Sequence, residues 1–186
     1  MPDTPDFALT KTVVLVGMMG SGKTAIGRSL AARLDVPFQD SDTAIEEAAA
    51  LTIAEIFSRD GEPFFRRRET EVLRRLVTGP VSIVSTGGGA FMTAENRGII
   101  AADGIALWLD ATLETLWERV RHKDTRPLLR TPDPKKTLTD LYHDRRPVYA
   151  KAGIRLAIDP DASIEQTTET ALGVLTEARI VQERAL

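Results

Sequence analysis

The sequence predicts an α/β fold of three layers, with a parallel sheet covered by helices on both faces, and three observations carry that prediction. Short apolar runs alternate with amphipathic stretches five times along the 186 residues, the pattern of buried parallel strands joined by helical crossovers. The first apolar run, Val13-Val14-Leu15-Val16, leads directly into Gly17-Met18-Met19-Gly20-Ser21-Gly22-Lys23-Thr24, which fits the G-x-x-x-x-G-K-[ST] phosphate-binding loop. No repeat, linker or low-complexity tract interrupts the alternation, so residues 1–186 are read as one domain.

Composition narrows the function. Hydrophobic residues at 42% and charged residues at 27% are ordinary for a globular protein. A net charge of −3 argues against a polyanion such as nucleic acid as partner. The absence of cysteine excludes disulfides, thiolate metal sites and a cysteine nucleophile, and fits a reducing compartment. No apolar run approaches the roughly 18 residues of a membrane span, and MPDTPDFALTK lacks the regions of a signal peptide. A cytoplasmic protein with no membrane partner is expected.

Residues 1–11, with two prolines and no periodicity, read as a loose arm. In the phosphate loop, glycines allow successive N–H groups to turn inward, and the following helix adds its unpaired N-terminal donors and the positive end of its dipole. A nucleoside triphosphate is therefore the expected ligand, with Gly17, Gly20, Ser21 and Gly22 in its cradle. Lys23 would lie along the β- and γ-phosphates, and the Thr24 hydroxyl would be a ligand of Mg²⁺. Ile26, Leu30 and Leu34 recur at helical spacing, and Asp35 ends that helix.

Val36 to Gln39 forms a second predicted strand and delivers Asp40-Ser41-Asp42 at its carboxyl end, where open α/β sheets gather ligands. Two carboxylates two residues apart on extended backbone point the same way, toward the loop. One can hold Mg²⁺ through water while the other accepts the proton of an attacking hydroxyl. Either can instead simply cap the helix predicted to begin near Thr43.

Thr52-Ile53-Ala54-Glu55 is a capping box that opens a short helix closed by Gly61. Glu62-Pro63 opens the next, with Phe65, Val72, Leu73 and Leu76 for its core face. Its run Arg66-Arg67-Arg68 has two readings: a solvated face paired with Glu62 and Glu71, or an arginine following a buried aromatic that turns into a cleft and clamps a carboxylate.

Val81 to Ser85 is the third strand, followed by Thr86-Gly87-Gly88-Gly89, glycines suited to close backbone approach. This strand ends without an aspartate, which leaves Asp40 as the metal-side carboxylate. A helix over 94–102 stops at Gly104, and Ile105 to Asp110 is the fourth strand. Leu113, Leu116, Trp117 and Val120 mark another helical face, and both tryptophans read as packing residues. From His122 to Lys136 periodicity fades, which fits either a plain surface loop or a mobile flap; in a flap, Arg126 is the candidate to neutralise charge on a transferring phosphoryl group. A helix from Thr137 is expected to break at Pro147. His122 and His143 have no partner at metal-ligand spacing and read as surface residues. Arg155 to Asp159 is the fifth strand, and the capping box Ser163-Ile164-Glu165-Gln166 opens a last helix predicted to run to about Arg184.

Taken in order, GMMGSGKT, DSD, DGEPFFRRRE, STGGG, TRPLL and RRPVY resemble the shikimate kinase family over about Thr12 to Ile164. The resemblance implies phosphorylation of the 3-hydroxyl of shikimate by ATP with Mg²⁺, on a five-stranded parallel sheet of order 2-3-1-4-5. It implies a substrate-binding subdomain over about 42–77, a mobile lid over about 121–137, and a monomer. Carried across by position, Gly20 through Thr24 resemble the ATP cradle, and Thr24 and Asp40 the metal side. Asp42 resembles the residue that holds the attacking hydroxyl and acts as general base. Arg66 and Arg145 resemble the pair that grips the substrate carboxylate, with Gly88, between Gly87 and Gly89, as the backbone donor beside them. Arg126 resembles the lid arginine, and Arg119 a residue bordering adenine. The loop Pro160-Asp161-Ala162-Ser163 lacks the basic residue that some members carry there. Two alternatives stand beside this reading. One is a related kinase for another acidic polyol such as gluconate. The other is a nucleotide-binding regulatory domain that has lost catalysis, against which the intact Lys23, Asp42 and Arg126 argue.

Overall fold

A computed structural model describes residues 7–122 and 127–183. Arg126 and the flap residues beside it, 123–125, lie outside the described residues. The chain forms β1 (Phe7–Leu9), β2 (Thr12–Val16), α1 (Lys23–Leu34), β3 (Phe38–Asp40), α2 (Ser41–Ala49), α3 (Ile53–Thr78) and β4 (Ile83–Ser85). It continues through α4 (Ala94–Asp103), β5 (Gly104–Asp110), α5 (Leu113–Val120), α6 (Pro134–Tyr149), β6 (Ile154–Ala157), α7 (Ile164–Glu177) and β7 (Val181–Glu183).

Five strands form one sheet in the order β3-β4-β2-β5-β6, every pair parallel. The strand of the phosphate loop is central, and its Val13, Val14, Leu15 and Val16 are wholly buried, as a strand covered on both faces must be. Helix α1 packs with α7, and α3 packs with α4, over the sheet. The labels run one ahead of the predicted order only because Phe7–Leu9 is itself a strand. Counted from the phosphate-loop strand, the five run second, third, first, fourth, fifth.

Register decides where the site forms. Leu15 is level with Ser85, and Ser85 with Asp40, so the phosphate loop, the Asp40 segment and the glycine run leave the sheet at one edge. Val16 is level with Trp108, which brings Asp110 to that edge as well.

Three expectations about elements are corrected. The first eleven residues are not all a loose arm: Phe7–Leu9 pairs antiparallel with Val181–Glu183 in a second, two-stranded sheet. The last helix ends at Glu177, because Arg179 takes a left-handed φ of 60° and the chain turns back into β7. The apolar spacing at Ala178 and Val181 continues past that turn, which is why periodicity alone ran on. The helix carrying Pro147 does not break there but reaches Tyr149. Only one backbone hydrogen bond is lost at a proline so near a helix end, and side chains on either side of it hold the final turn. The two helices predicted on either side of Gly61 are both present within α3: Gly61, at φ 82°, leaves helical geometry and the chain kinks between them.

Candidate active site

The phosphate loop forms one wall of a cleft of about 530 Å³, lined by Gly20, Ser21, Gly22, Lys23 and Thr24. Gly20 and Gly22 hold left-handed φ values of 80° and 98°, which turn the loop around the N-terminus of α1. Lys23 Nζ donates to the carbonyls of Gly17 (2.8 Å) and Met18 (2.9 Å), folding back over the loop. Ser21 is buried, and its hydroxyl has no hydrogen-bond partner among the described residues. A buried hydroxyl without a partner costs free energy unless a ligand oxygen meets it.

The opposite wall carries Asp40, Asp42, Gly87 and Gly88. Asp40 is the N-cap of α2, its Oδ1 accepting from the N–H groups of Asp42 (3.0 Å) and Thr43 (3.1 Å). The expectation that both aspartates lie on extended backbone is therefore corrected: Asp42 is in the first turn of α2. Capping and site placement turn out to be compatible, since Asp40 caps with one oxygen and still lines the cleft. Burial, then the charges of Asp40 and Glu69, raise the Asp42 carboxyl to about 6, against the lowering pull of Lys23.

The three successive glycines each lie beneath a different functional group. A Cβ on Gly87 would stand 2.9 Å from Asp42 Oδ1. One on Gly88 would stand 3.0 Å from Arg145 Nη1, and one on Gly89 2.7 Å from Arg66 Nη1. The strip thus carries an acid that lines the cleft together with the phosphate loop, and two guanidinium groups over the next two glycines that pack beside the cleft without being part of its lining. Arg66 is the arginine of its run that turns inward, while Arg67 and Arg68 are exposed and Arg68 pairs with Glu71.

Of the partners expected from helical spacing, Glu62 does accept from Arg66, at 3.2 Å from Nη2, so the inward arginine keeps one solvent-side partner; its buried partner was not among them. Glu69, buried, accepts from Arg66 Nη1 at 2.9 Å. Burial pushes its carboxyl above the ordinary value, while the hydrogen bond and charge of Arg66 and the charge of Arg145 pull it down. The signal was the three-residue spacing from Arg66, one helical turn. Tyr149, buried, donates to the Gly88 carbonyl at 2.5 Å and so fixes the middle of the glycine strip. Burial pushes its hydroxyl up to about 12. Beyond the phosphate loop the cleft extends past Arg119, whose Nη1 donates to Gly20 O at 3.1 Å, to Ile158, Ala162 and Ile164. These apolar side chains suit the flat face of a nucleobase, and the sequence marked only their place after the fifth strand.

No group of three His, Cys, Asp or Glu side chains that could hold a metal occurs among the described residues. Mg²⁺ does not need one, because it keeps several waters and takes one or two carboxylates beside phosphate oxygens. The Thr24 hydroxyl and the Asp40 carboxylate on the same cleft fit that demand. Among the described residues no helix is long and apolar enough to cross a membrane.

A family model described as shikimate kinase matches residues 19–176. A shikimate kinase of Ruegeria pomeroyi is 54% identical over 176 residues, covering 95% of this chain and 90% of its own. A solved structure of shikimate kinase from Acinetobacter baumannii in complex with shikimate superposes with a TM-score of 0.85 at 35% identity, covering 91% of this chain and 94% of that one. A gluconokinase from Sinorhizobium meliloti reaches a TM-score of 0.61 at only 15% identity, over 91% of this chain and 94% of its own, a likeness of fold alone.

Proposed function

The chain belongs to the shikimate kinase family, and from that premise we propose how its own residues move the γ-phosphoryl group of ATP to the 3-hydroxyl of shikimate. The observation that carries the reading is the glycine strip, with Asp42, Arg145 and Arg66 packed in turn on Gly87, Gly88 and Gly89, of which Asp42, Gly87 and Gly88 share the cleft with the phosphate loop. A hydroxy acid needs that sequence of groups: cations for its carboxylate at one end, and an acceptor for its alcohol at the end nearer the nucleotide.

Arg66 and Arg145 grip the substrate carboxylate, with Gly88 as the backbone donor between them. A guanidinium fork matches a carboxylate in two parallel hydrogen bonds, so the grip orients as well as binds. Asp42 accepts the 3-hydroxyl hydrogen and takes its proton as the oxygen–phosphorus bond forms and the bond from the γ-phosphorus to the β–γ bridging oxygen breaks. A carboxyl near 6 is ionised at neutral pH yet basic enough to receive that proton. Gly17, Gly20, Ser21 and Gly22 cradle the phosphates, and Lys23 exchanges its loop carbonyls for β- and γ-phosphate oxygens. When bound, Mg²⁺ held by Thr24 and Asp40 supplies neutralisation of the phosphate oxygens. Arg119 borders the adenine end, with Ile158 and Ile164 against the base. The catalysis is positioning and charge neutralisation.

The substrate-binding part comprises about residues 42–77, and the residues named all come from one chain, so a monomer suffices. Steady-state assays with ATP and Mg²⁺ against shikimate and gluconate test the choice of acid. Turnover of shikimate alone is expected; turnover of gluconate with shikimate ignored would reject it, and ATP binding without turnover of either acid would favour a regulatory domain.

A further inference from the structure

Asp110, at the carboxyl end of β5, is a buried carboxylate outside the reaction described above. Both its oxygens are taken by two arginines. Arg146 donates from Nη1 to Oδ1 at 2.6 Å and from Nη2 to Oδ2 at 3.1 Å. Arg155, on β6, donates from Nε to Oδ2 at 2.8 Å, with its Nη2 2.7 Å from the same oxygen. The two guanidinium groups lie over Trp108, at 5.2 and 5.6 Å from the ring. Arg146 Nη1 also donates to the Tyr142 hydroxyl at 2.9 Å, four residues earlier on α6.

This clamp acts on the helix that carries Arg145. Successive residues on a helix are turned by about 100° from one another, so fixing the direction of Arg146 fixes that of Arg145. The final turn of α6 needs such a hold, because Pro147 removes a backbone hydrogen bond there. Tyr149, four residues after Arg145, reaches the Gly88 carbonyl, so one side of the turn faces the glycine strip while Arg146 is held by β5.

We infer that the Asp110–Arg146 pair is a positioning device that aims Arg145 at the substrate carboxylate, and that it governs affinity for the acid rather than for the nucleotide. This rests on the proposed role of Arg145. Kinetics of Arg146→Ala, Arg145→Ala and the double variant, on the full chain, test it. Arg146→Ala should raise the KM for shikimate by about tenfold, as a displaced binding group does, with the KM for ATP changed less than about twofold. In the Arg145→Ala background the same change should raise it less than about twofold further, because the residue it aims is gone. Asp110→Asn, which keeps the shape, should repeat the pattern of Arg146→Ala, and it serves where the alanine variant does not fold. An unchanged KM for shikimate, a parallel rise for ATP, or an equal factor in both backgrounds would overturn the inference. If Arg145→Ala itself left shikimate affinity intact, the carboxylate grip proposed above would fall, and the aiming role with it. An effect of Arg145→Ala with none of Arg146→Ala would remove only the aiming role.

Discussion

Gly87 and Asp42 stand so close that a methyl group on the glycine would lie 2.9 Å from one carboxylate oxygen and 3.1 Å from the other. The base therefore rests on bare backbone, and any side chain beneath it must displace it. Gly87→Ala should fold, since the clash is with one side chain, yet lower kcat by about a hundredfold because the acceptor moves by a fraction of an ångström or more. Turnover measured beside a thermal melt checks this, and a fully active Gly87→Ala would show that Asp42 has room to spare.

The raised Asp42 carboxyl has consequences for both rate and stability. Because the base must be ionised, kcat/KM for shikimate should fall about tenfold per pH unit below about 6 and level off above it. In the free protein the folded state binds this proton more tightly than the unfolded chain, whose value is near 3.8. The stability contributed by Asp42 is thus highest below that value, falls as pH rises to about 6, and stays low beyond. Asp42→Asn should nearly abolish turnover, leave ATP binding intact and raise Tm at pH 7 more than at pH 4. Equal Tm changes at the two pH values would contradict the burial argument.

Arg66 serves the substrate and also balances Glu69. Arg66→Ala should raise the KM for shikimate by about a hundredfold and cost about 3 kcal/mol of stability, because it strips a buried carboxylate of its partner. Replacing the acid as well, in Arg66→Ala/Glu69→Gln, should recover stability while shikimate affinity stays lost. Denaturant melts and initial rates on the same preparations separate the two effects; parallel recovery of both would mean that the arginine is structural.

Asp40 holds two jobs that one substitution divides. Asparagine accepts the same N–H bonds at a helix N-terminus, so Asp40→Asn should keep Tm within about 2 °C, whereas Asp40→Ala should lose about 1 kcal/mol. Losing the charge should raise the Mg²⁺ concentration for half-maximal rate about tenfold. It should also move the acid limb of the pH profile downward, since the Asp40 charge is among the causes that raise Asp42. A Mg²⁺ titration unchanged in Asp40→Asn would confine Asp40 to capping.

Much of this was legible along the chain because it is local. The phosphate loop needs strand, glycines and helix within a dozen residues, and the sheet follows from apolar runs of strand length. Asp40 stands at the strand end where the sequence puts it, but Asp42 lies in a helix and not on extended backbone, because a capping residue and a strand end look alike in sequence. Arg66 stood among three arginines, and nothing in spacing separates the one that turns inward; its partner Glu69 and its floor Gly89 do.

What the sequence determined by itself is the list of chemical groups and the segment each belongs to: a phosphate cradle, two carboxylates, arginines and a run of glycines. Only the tertiary structure decided that Gly87, Gly88 and Gly89 lie under Asp42, Arg145 and Arg66 in that order, and that Asp110 reaches Arg146 across 36 positions. Local patterns arise from backbone geometry that neighbours in the chain share. Contacts between distant segments arise from strand register and helix rotation, which the packing of the whole sheet sets.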